Sequence, residues 1–507
     1  MSVKKILVRK STYFDSVSLM RIGEAVKKES GVLNVVVGMG TDFNIDSLKR
    51  LDLFAPELNG ITPNDLVIAV LADNAENAQK GAEKAEKLLT ERVISQISAD
   101  YSPPTLKGAI ELDALSNVVL ISVPGRFAGR EVRTALENGK HVMLFSDNVS
   151  VEEEIELKDE ALRRGLLMMG PDCGTTILNG VPLAFSNVVR RGDIGVVAAS
   201  GTGLQEVTSL IHRFGCGITQ AIGVGGRDLS ERVSGRMTIF AAKALGADPA
   251  TKVILLVSKP PAPSTEELLF SELKSLDKPI VIYFIGADSA KIKNAGFEPA
   301  DNLENAAAKA CELSSGTEII QIVSNEEISK KAVKMQGRFI RGLYSGGTLC
   351  DEMQRQLLPL LGTIYSNTPV PGAKKLSDIH RSEGHTIIDL GDDDFTRGRA
   401  HPMIDPTARI ERLQSEFADA SAGMILFDVV LGYGSHPDMA GAMSDAIVKA
   451  RKETNRNPIL VANILGTDED PQNYGEQVKK LSEIGVHVFP SNISVARFVS
   501  AVIGGLR

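Results

Sequence analysis

Six short runs of aliphatic and β-branched residues set the terms for this chain: VVLIS, KVILLVS, IVIYFIG, HTIIDLG, MILFDVVLG and PILVANILG. Each is apolar nearly end to end rather than alternating. Helical stretches such as AGREVRTALENG and NYGEQVKKLSEIG stand between such runs, behind glycine turns. A strand with no polar face must be covered on both sides, so the pattern calls for parallel sheets sandwiched between helices. The expected fold class is therefore α/β, of the doubly wound kind. A chain of 507 residues should hold about three or four domains of that sort.

Four segments follow from the rhythm. Residues 1–100 carry KKILVRK, a helix near 15–28, LNVVVGMG, DLVIAVLA and an Ala/Glu/Lys-rich helix over 73–92, as expected of a small α/β domain. Ser98–Lys107, with YSPPT, reads as a linker because Pro-Pro stops both helix and strand. Residues 107–190 form a Rossmann-like unit. Residues 191–330 and 336–507 each read as a flavodoxin-like domain.

One element occurs twice. DIGVVAAS runs into Ser200, Gly201, Thr202 and Gly203, and FIRGLYS runs into Ser345, Gly346, Gly347 and Thr348. A glycine turn between strand and helix leaves backbone N–H groups unpaired at the positive end of the helix dipole. Such a start holds phosphate or carboxylate without a charged side chain. A Ser/Thr N-cap in a tight turn accounts for one copy equally well. Two copies in paired domains either record a domain duplication alone or predict helices whose starts face one another and share one anion.

Composition excludes other classes. The formal net charge is −8 with no basic block, so nucleic acid is not an expected partner. The apolar runs are far short of the roughly 18 residues of a membrane helix, so no membrane association is expected. MSVKKILVRK has charge but no apolar core, unlike a signal peptide. Cys173, Cys216, Cys311 and Cys350 lie far apart without metal-ligand spacing, which fits a reducing cytoplasm without disulfides or a metal site.

From residue 107 onward the motifs SVPGRF, GPDC, SGTG, AIGVGGRDL, SGGT, IIDLG and VVLGYGSHPD follow in that order, and with them the chain resembles the succinyl-CoA synthetase (NDP-forming acyl-CoA synthetase) superfamily. Residues 117–173, with SVPGRF and GPDC, are similar to its α-subunit CoA-binding domain. Residues 195–230, with SGTG and AIGVGGRDL, are similar to the α ligase domain, and 336–507, with SGGT, IIDLG and VVLGYGSHPD, to the β carboxy-terminal ligase domain. TYFDSVSLM and HPMIDP point to the FdrA-type branch, where α-like and β-like pieces are fused. The resemblance implies two helix starts aimed at a shared phosphate, and a turn at Val123, Pro124 and Arg126 that touches CoA or a nucleotide.

The departures from that family are as informative. No ATP-grasp domain stands between residues 330 and 336. The loop after IVIYFIG, where the synthetases carry a phosphohistidine, reads GADSAKIKNAG without histidine, and Lys259 stands where an orienting acid is expected. No glycine-rich CoA loop precedes residue 107. The FdrA branch implies instead the large subunit of an oxamate carbamoyltransferase-type complex of allantoin breakdown, working with co-encoded subunits and as an oligomer. Its ligands would be phosphate or carbamoyl phosphate and a small carboxylic acid; no cofactor is certain, and CoA stays open. A CoA-dependent ligase that borrows its nucleotide half, and a non-catalytic scaffold, are the alternatives.

Proton carriers are sought at the carboxyl ends of strands. His401, in RGRAHPMIDP, has Arg397, Arg399 and Asp405 as neighbours and ranks first; His436, in LGYGSHPD, ranks second. Lys259 is expected to meet the anion. Asp392, Asp393 and Asp394 read as a solvated turn rather than a Mg²⁺ site. Cys173 and Cys350 read as packed rather than nucleophilic.

Overall fold

A computed structural model describes residues 2–12, 14, 16–97, 103–397 and 399–504. Part of the expected linker and two residues of TYFDSVSLM lie outside them. The chain divides into two compact units, Met1–Lys140 with Thr396–Ala400, and His141–Phe395 with His401–Arg507.

The first unit begins with a three-stranded antiparallel sheet. Leu66–Ala72 lies between Val3–Arg9 and Val32–Met39. LVIAVLA has no polar residue, and every position of it is buried. Helices Ser16–Lys27 and Ala75–Ile97 cover one face through Leu19, Ile22, Val26, Ala82 and Ala85; Leu48, Leu53 and Leu58 cover the other. Asp65 closes the end of the sheet, accepting from the amides of Ser11 and Thr62 and from the Lys10 ammonium. These donors hold its carboxyl far below the usual carboxylate range.

The second unit contains two seven-stranded sheets. In the first, Ile218–Gly223, Arg191–Ala199, Val253–Ser258, Ile280–Phe284 and Glu298–Pro299 run parallel in that spatial order, which is the flavodoxin order 2-1-3-4-5. The hairpin Thr175–Leu178/Val181–Ala184 extends this sheet antiparallel at one edge. That hairpin falls within 107–190 by sequence, yet its hydrogen bonds go to the following sheet. Helix Val151–Arg164 is tied to the same body: buried Lys158 pairs with Glu154 at 2.8 Å and with Asp228, in the loop after Ile218–Gly223, at 2.7 Å.

The second sheet is wholly parallel. His385–Asp389, Phe339–Tyr344, Ala422–Val430, Ile459–Leu465 and His487–Phe489 repeat the order 2-1-3-4-5, with Ile364–Ser366 and Lys374–Lys375 added at the edge. Both glycine turns therefore follow strand 1 of their sheet, beside the point where strand order reverses and open α/β sheets bind ligands. One apolar cluster runs through both sheets, from Val196, Leu204 and Leu255 to Tyr344, Leu349 and Leu426. A common core of that kind fixes the two turns against each other.

Candidate functional site

Ser200 is the N-cap of helix Gly201–Arg213, and its hydroxyl accepts from the Gly203 amide at 3.0 Å. Gly346 caps helix Gly347–Leu361 without a side-chain bond. The two starts touch. The Ser200 and Thr348 hydroxyls are hydrogen bonded, and a Cβ on Gly346 would lie 2.6 Å from Thr202 Cγ2. A Cβ on Gly203 would meet Thr348 Cγ2 at 3.0 Å. Glycine at 203 and 346 is what lets two helix N-termini come this close.

Not all the expected donors remain available. Asp428, wholly buried, accepts from the Ser345 amide at 2.9 Å, the Ser345 hydroxyl at 2.9 Å and the Gly346 amide at 3.1 Å. Arg409, also buried, supplies its countercharge at 2.9 Å. The protein's own carboxylate thus fills the outer part of the second start, and this corrects the expectation that all of Ser345–Thr348 face a ligand. The amides of Gly201, Thr202, Gly347 and Thr348 have no hydrogen-bond partner among the described residues.

Two ionisable groups stand at the second start. Lys259, the residue after strand Val253–Ser258, places its Nζ 3.8 Å from the position of a Cβ on Gly347. It pairs with Asp351 at 2.9 Å and is about half exposed, 47% for its side chain. Burial draws its pKa down, but Asp351 and Asp389 outweigh that and hold it above the ordinary lysine value. Asp389 ends strand His385–Asp389; its Oδ2 lies 2.7 Å from the same Cβ position, and its Oδ1 accepts from the Gly391 amide at 2.8 Å. Burial pushes this carboxyl up to about 7, against the pull of the Gly391 amide and Lys259. Asp389 therefore holds or releases a proton near neutral pH.

His401 faces Asp389 across Gly391. A Cβ on Gly391 would lie 2.7 Å from His401 Nε2 and 3.1 Å from Asp389 Oδ1. Burial and the Arg409 charge lower its pKa to about 4, so the imidazole is neutral at pH 7. Its Nδ1 accepts from the Met403 amide at 3.2 Å, which leaves the proton on Nε2. His401 is thus a hydrogen-bond donor here, and the group that titrates near neutral pH is Asp389, which the sequence did not single out. Asp405 does not orient His401; it accepts from the Thr407 amide at 2.9 Å. Arg397 and Arg399 fall in the other unit.

The remaining residues separate clearly. The His436 amide donates to Met403 O at 2.7 Å, so its loop packs on the His401 loop, and its Nδ1 accepts from the Asp438 amide at 3.0 Å. Phe185 contacts the His401 ring, with centroids 6.2 Å apart. Val123, Pro124 and Arg126 belong to the first unit, at the start of helix Gly125–Glu137, where the Arg126 guanidinium lies 4.8 Å from the Phe127 ring centroid. Burial raises the Cys173 thiol to about 11 and the Cys350 thiol well above its ordinary value, so both are packed and unreactive.

Residues 343–502 match a family described as CoA-ligase, and residues 1–102 match one described as AllF, heavy metal-associated domain. YahF of Escherichia coli (strain K12) is 43% identical over 495 residues, 96% of each chain. The chain belongs to the FdrA-type acyl-CoA-synthetase-like proteins. This FdrA-type chain is also 28% identical over 198 residues to the succinate–CoA ligase [ADP-forming] subunit alpha of Aquifex aeolicus, 38% of this chain and 63% of that subunit. The apo dinucleotide-forming acetyl-coenzyme A synthetase 1 of Ca. Korarchaeum cryptofilum aligns over 79% of this chain and 84% of its own, at TM-score 0.35 and 15% identity. Residues 1–102 contain neither cysteine nor histidine, which leaves no thiolate or imidazole for a soft metal. Among the described residues no helix is long and apolar enough to cross a membrane.

Proposed function

We propose that this FdrA-type chain moves a carbamoyl or related acyl group between a small amide acid and phosphate, as the large subunit of an oxamate carbamoyltransferase-type complex. The observation that carries the proposal is the contact of two helix starts whose free amides adjoin Lys259 and Asp389. Phosphate would rest on the amides of Gly201, Thr202, Gly347 and Thr348, with Lys259 as the fixed cation.

In the direction of phosphate attack, a phosphate oxygen forms a bond to the carbamoyl carbon and the bond from that carbon to the amide nitrogen breaks. The leaving nitrogen needs one proton. Asp389, with a pKa of about 7, suits that donation and the reverse abstraction. The Nε2–H of His401 is on the same side and suits the carbonyl oxygen as charge develops on it. No covalent enzyme intermediate is needed, consistent with a GADSAKIKNAG loop that has no nucleophilic histidine. Co-encoded subunits would complete the complex.

A second reading, a CoA-dependent ligase that borrows its nucleotide-binding half, rests on the match of residues 343–502 to the CoA-ligase family. Arg126 and the half-exposed Phe127 at the start of helix Gly125–Glu137 would suit a phosphate and an adenine ring. One assay separates the readings: phosphate release from carbamoyl phosphate with oxamate as acceptor, with and without co-encoded subunits, beside calorimetric titration with CoA. Oxamate-dependent release supports carbamoyl transfer. CoA binding without such release favours the ligase.

A further inference from the structure

Below the second helix start lies an open groove of about 270 Å³, lined by Lys259, Pro260, Asp351, Arg355, Thr368 and Val370 among others. Gly347, Asp351 and Arg355 are four residues apart, so they fall on one face of helix Gly347–Leu361. Arg355 stands about 12 Å further along the axis than Gly347, and its long side chain leans back toward the N-terminus.

Arg355 is placed but unsatisfied. Its guanidinium lies flat against Gly286, where a Cβ would come within 2.4 Å of Cζ; Gly286 also has φ +74°. The positive φ favours glycine in the loop that follows strand Ile280–Phe284, and the missing side chain lets the guanidinium lie this close. Arg355 makes no hydrogen bond or ion pair among the described residues, and its Nε is buried without a partner. Lys259 pairs with Asp351, and Arg355 acts on the same carboxylate, so two cations and one carboxylate leave the groove with one net positive charge. The Thr368 hydroxyl is likewise buried and unpartnered. The opposite wall, Pro369–Pro371, is preset: Gln354 Nε2 donates to Thr368 O at 3.1 Å and Gln354 Oε1 accepts from the Val370 amide at 3.2 Å. Two prolines and a buried glutamine leave the wall little freedom to lose on binding.

We propose that this groove is a second anion subsite, distinct from the phosphate-holding helix starts, which takes the carboxylate of a small amide acid. Arg355 grips the carboxylate through its fork, as planar guanidinium matches planar carboxylate. The Thr368 hydroxyl meets the adjacent amide. Lys259 stands at the junction between this subsite and the Gly347 start. The inference rests on the carbamoyl-transfer reading for the identity of the acid, not for the existence of the subsite.

Calorimetry on the full chain tests it, with oxamate and inorganic phosphate as separate probes. Oxamate should bind in the presence of saturating phosphate, and acetate, which lacks the amide, should bind more weakly. Arg355→Gln should weaken oxamate binding at least tenfold and change phosphate binding less than twofold; Arg355→Lys should recover part of the loss. A thermal midpoint within a few degrees of wild type will verify that these variants fold. Absence of binding by both oxamate and acetate, full displacement of the acid by phosphate, or equal binding by Arg355→Gln and wild type each overturns the subsite, whereas Arg355-dependent acetate binding without oxamate binding sustains the subsite and removes the carbamoyl-transfer identity of the acid. Arg355-dependent oxamate binding with no phosphate binding sustains the subsite and instead removes the phosphate reading of the helix starts.

Discussion

The hydroxyls of Ser200 and Thr348, 148 residues apart in the chain, are hydrogen bonded where two helices from different sheets begin. Each belongs to a start that its own domain could build alone, and the bond joins them into one site. Ser200 serves twice, since the same oxygen accepts from the Gly203 amide.

Replacing both partners should therefore reveal coupling. Ser200→Ala should cost about 1 kcal/mol of stability through the lost N-cap, and Thr348→Val less. In a double-mutant cycle by denaturant unfolding, the interaction energy should be about 0.5–1.5 kcal/mol, the net worth of a neutral hydrogen bond. Strict additivity would show that the two starts are neighbours without being joined.

The fold was largely readable because it rests on patterns that are local. From residue 191 onward continuous apolar runs became parallel strands, whereas the equally apolar LVIAVLA lies in an antiparallel sheet; the two Ser-Gly starts marked the ends of Arg191–Ala199 and Phe339–Tyr344. The site was readable only in part. Asp389 and Asp428 owe their roles to partners brought in by the fold; the Ser345–Asp428 bond spans 83 residues. A hint was present, since an acid inside an otherwise apolar run, as in HTIID and MILFD, must have a buried partner or a function. Arg355 also left a trace, at four- and eight-residue spacing from Asp351 and Gly347. The hairpin Thr175–Ala184 escaped assignment because edge pairing of four-residue strands has no sequence period of its own.

The protein alone should neither hydrolyse ATP nor become phosphorylated on histidine. The segment GADSAKIKNAG, residues 286–296, has no histidine, and the Arg355 guanidinium packs on its first residue. Incubation with labelled ATP or an acyl phosphate, followed by acid and base treatment, will show this. An acid-labile, base-stable phosphoprotein would refute it.

Lys259 should contribute to holding the phosphate-bearing substrate. Lys259→Ala should weaken binding of phosphate or carbamoyl phosphate by about 1.5–3 kcal/mol, the usual worth of a charged hydrogen bond. Lys259→Glu should be worse, since it sets a third carboxylate beside Asp351 and Asp389. Titration calorimetry decides the matter. Unchanged affinity in both folded variants would assign the anion to the helix amides alone.

Behind the helix starts, Glu206 predicts a dependence of stability on pH. Its side chain leaves helix Gly201–Arg213 and accepts at 3.0 Å from the Asn492 amide, at the start of helix Asn492–Gly504. Glu352 makes the reciprocal bond, accepting from the Leu303 amide at 2.8 Å at the start of helix Leu303–Ser315. The paired helices thus each cap a helix of the other domain. Burial pushes Glu206 up to about 8, with Glu352 and Glu304 adding to the rise and the Asn492 amide opposing it. Between its ordinary value of 4.5 and about 8 the folded chain holds a proton that the unfolded chain has released. Stability should then fall as pH rises through that window, by at most about 1.4 kcal/mol per pH unit from this group. Glu206→Gln keeps an oxygen for the Asn492 amide and cannot ionise. Its stability relative to wild type should climb between pH 5 and 8 and level off above that, as read from urea midpoints across the range. Parallel pH profiles for the two proteins would mean that Glu206 ionises in place without strain on the interlock.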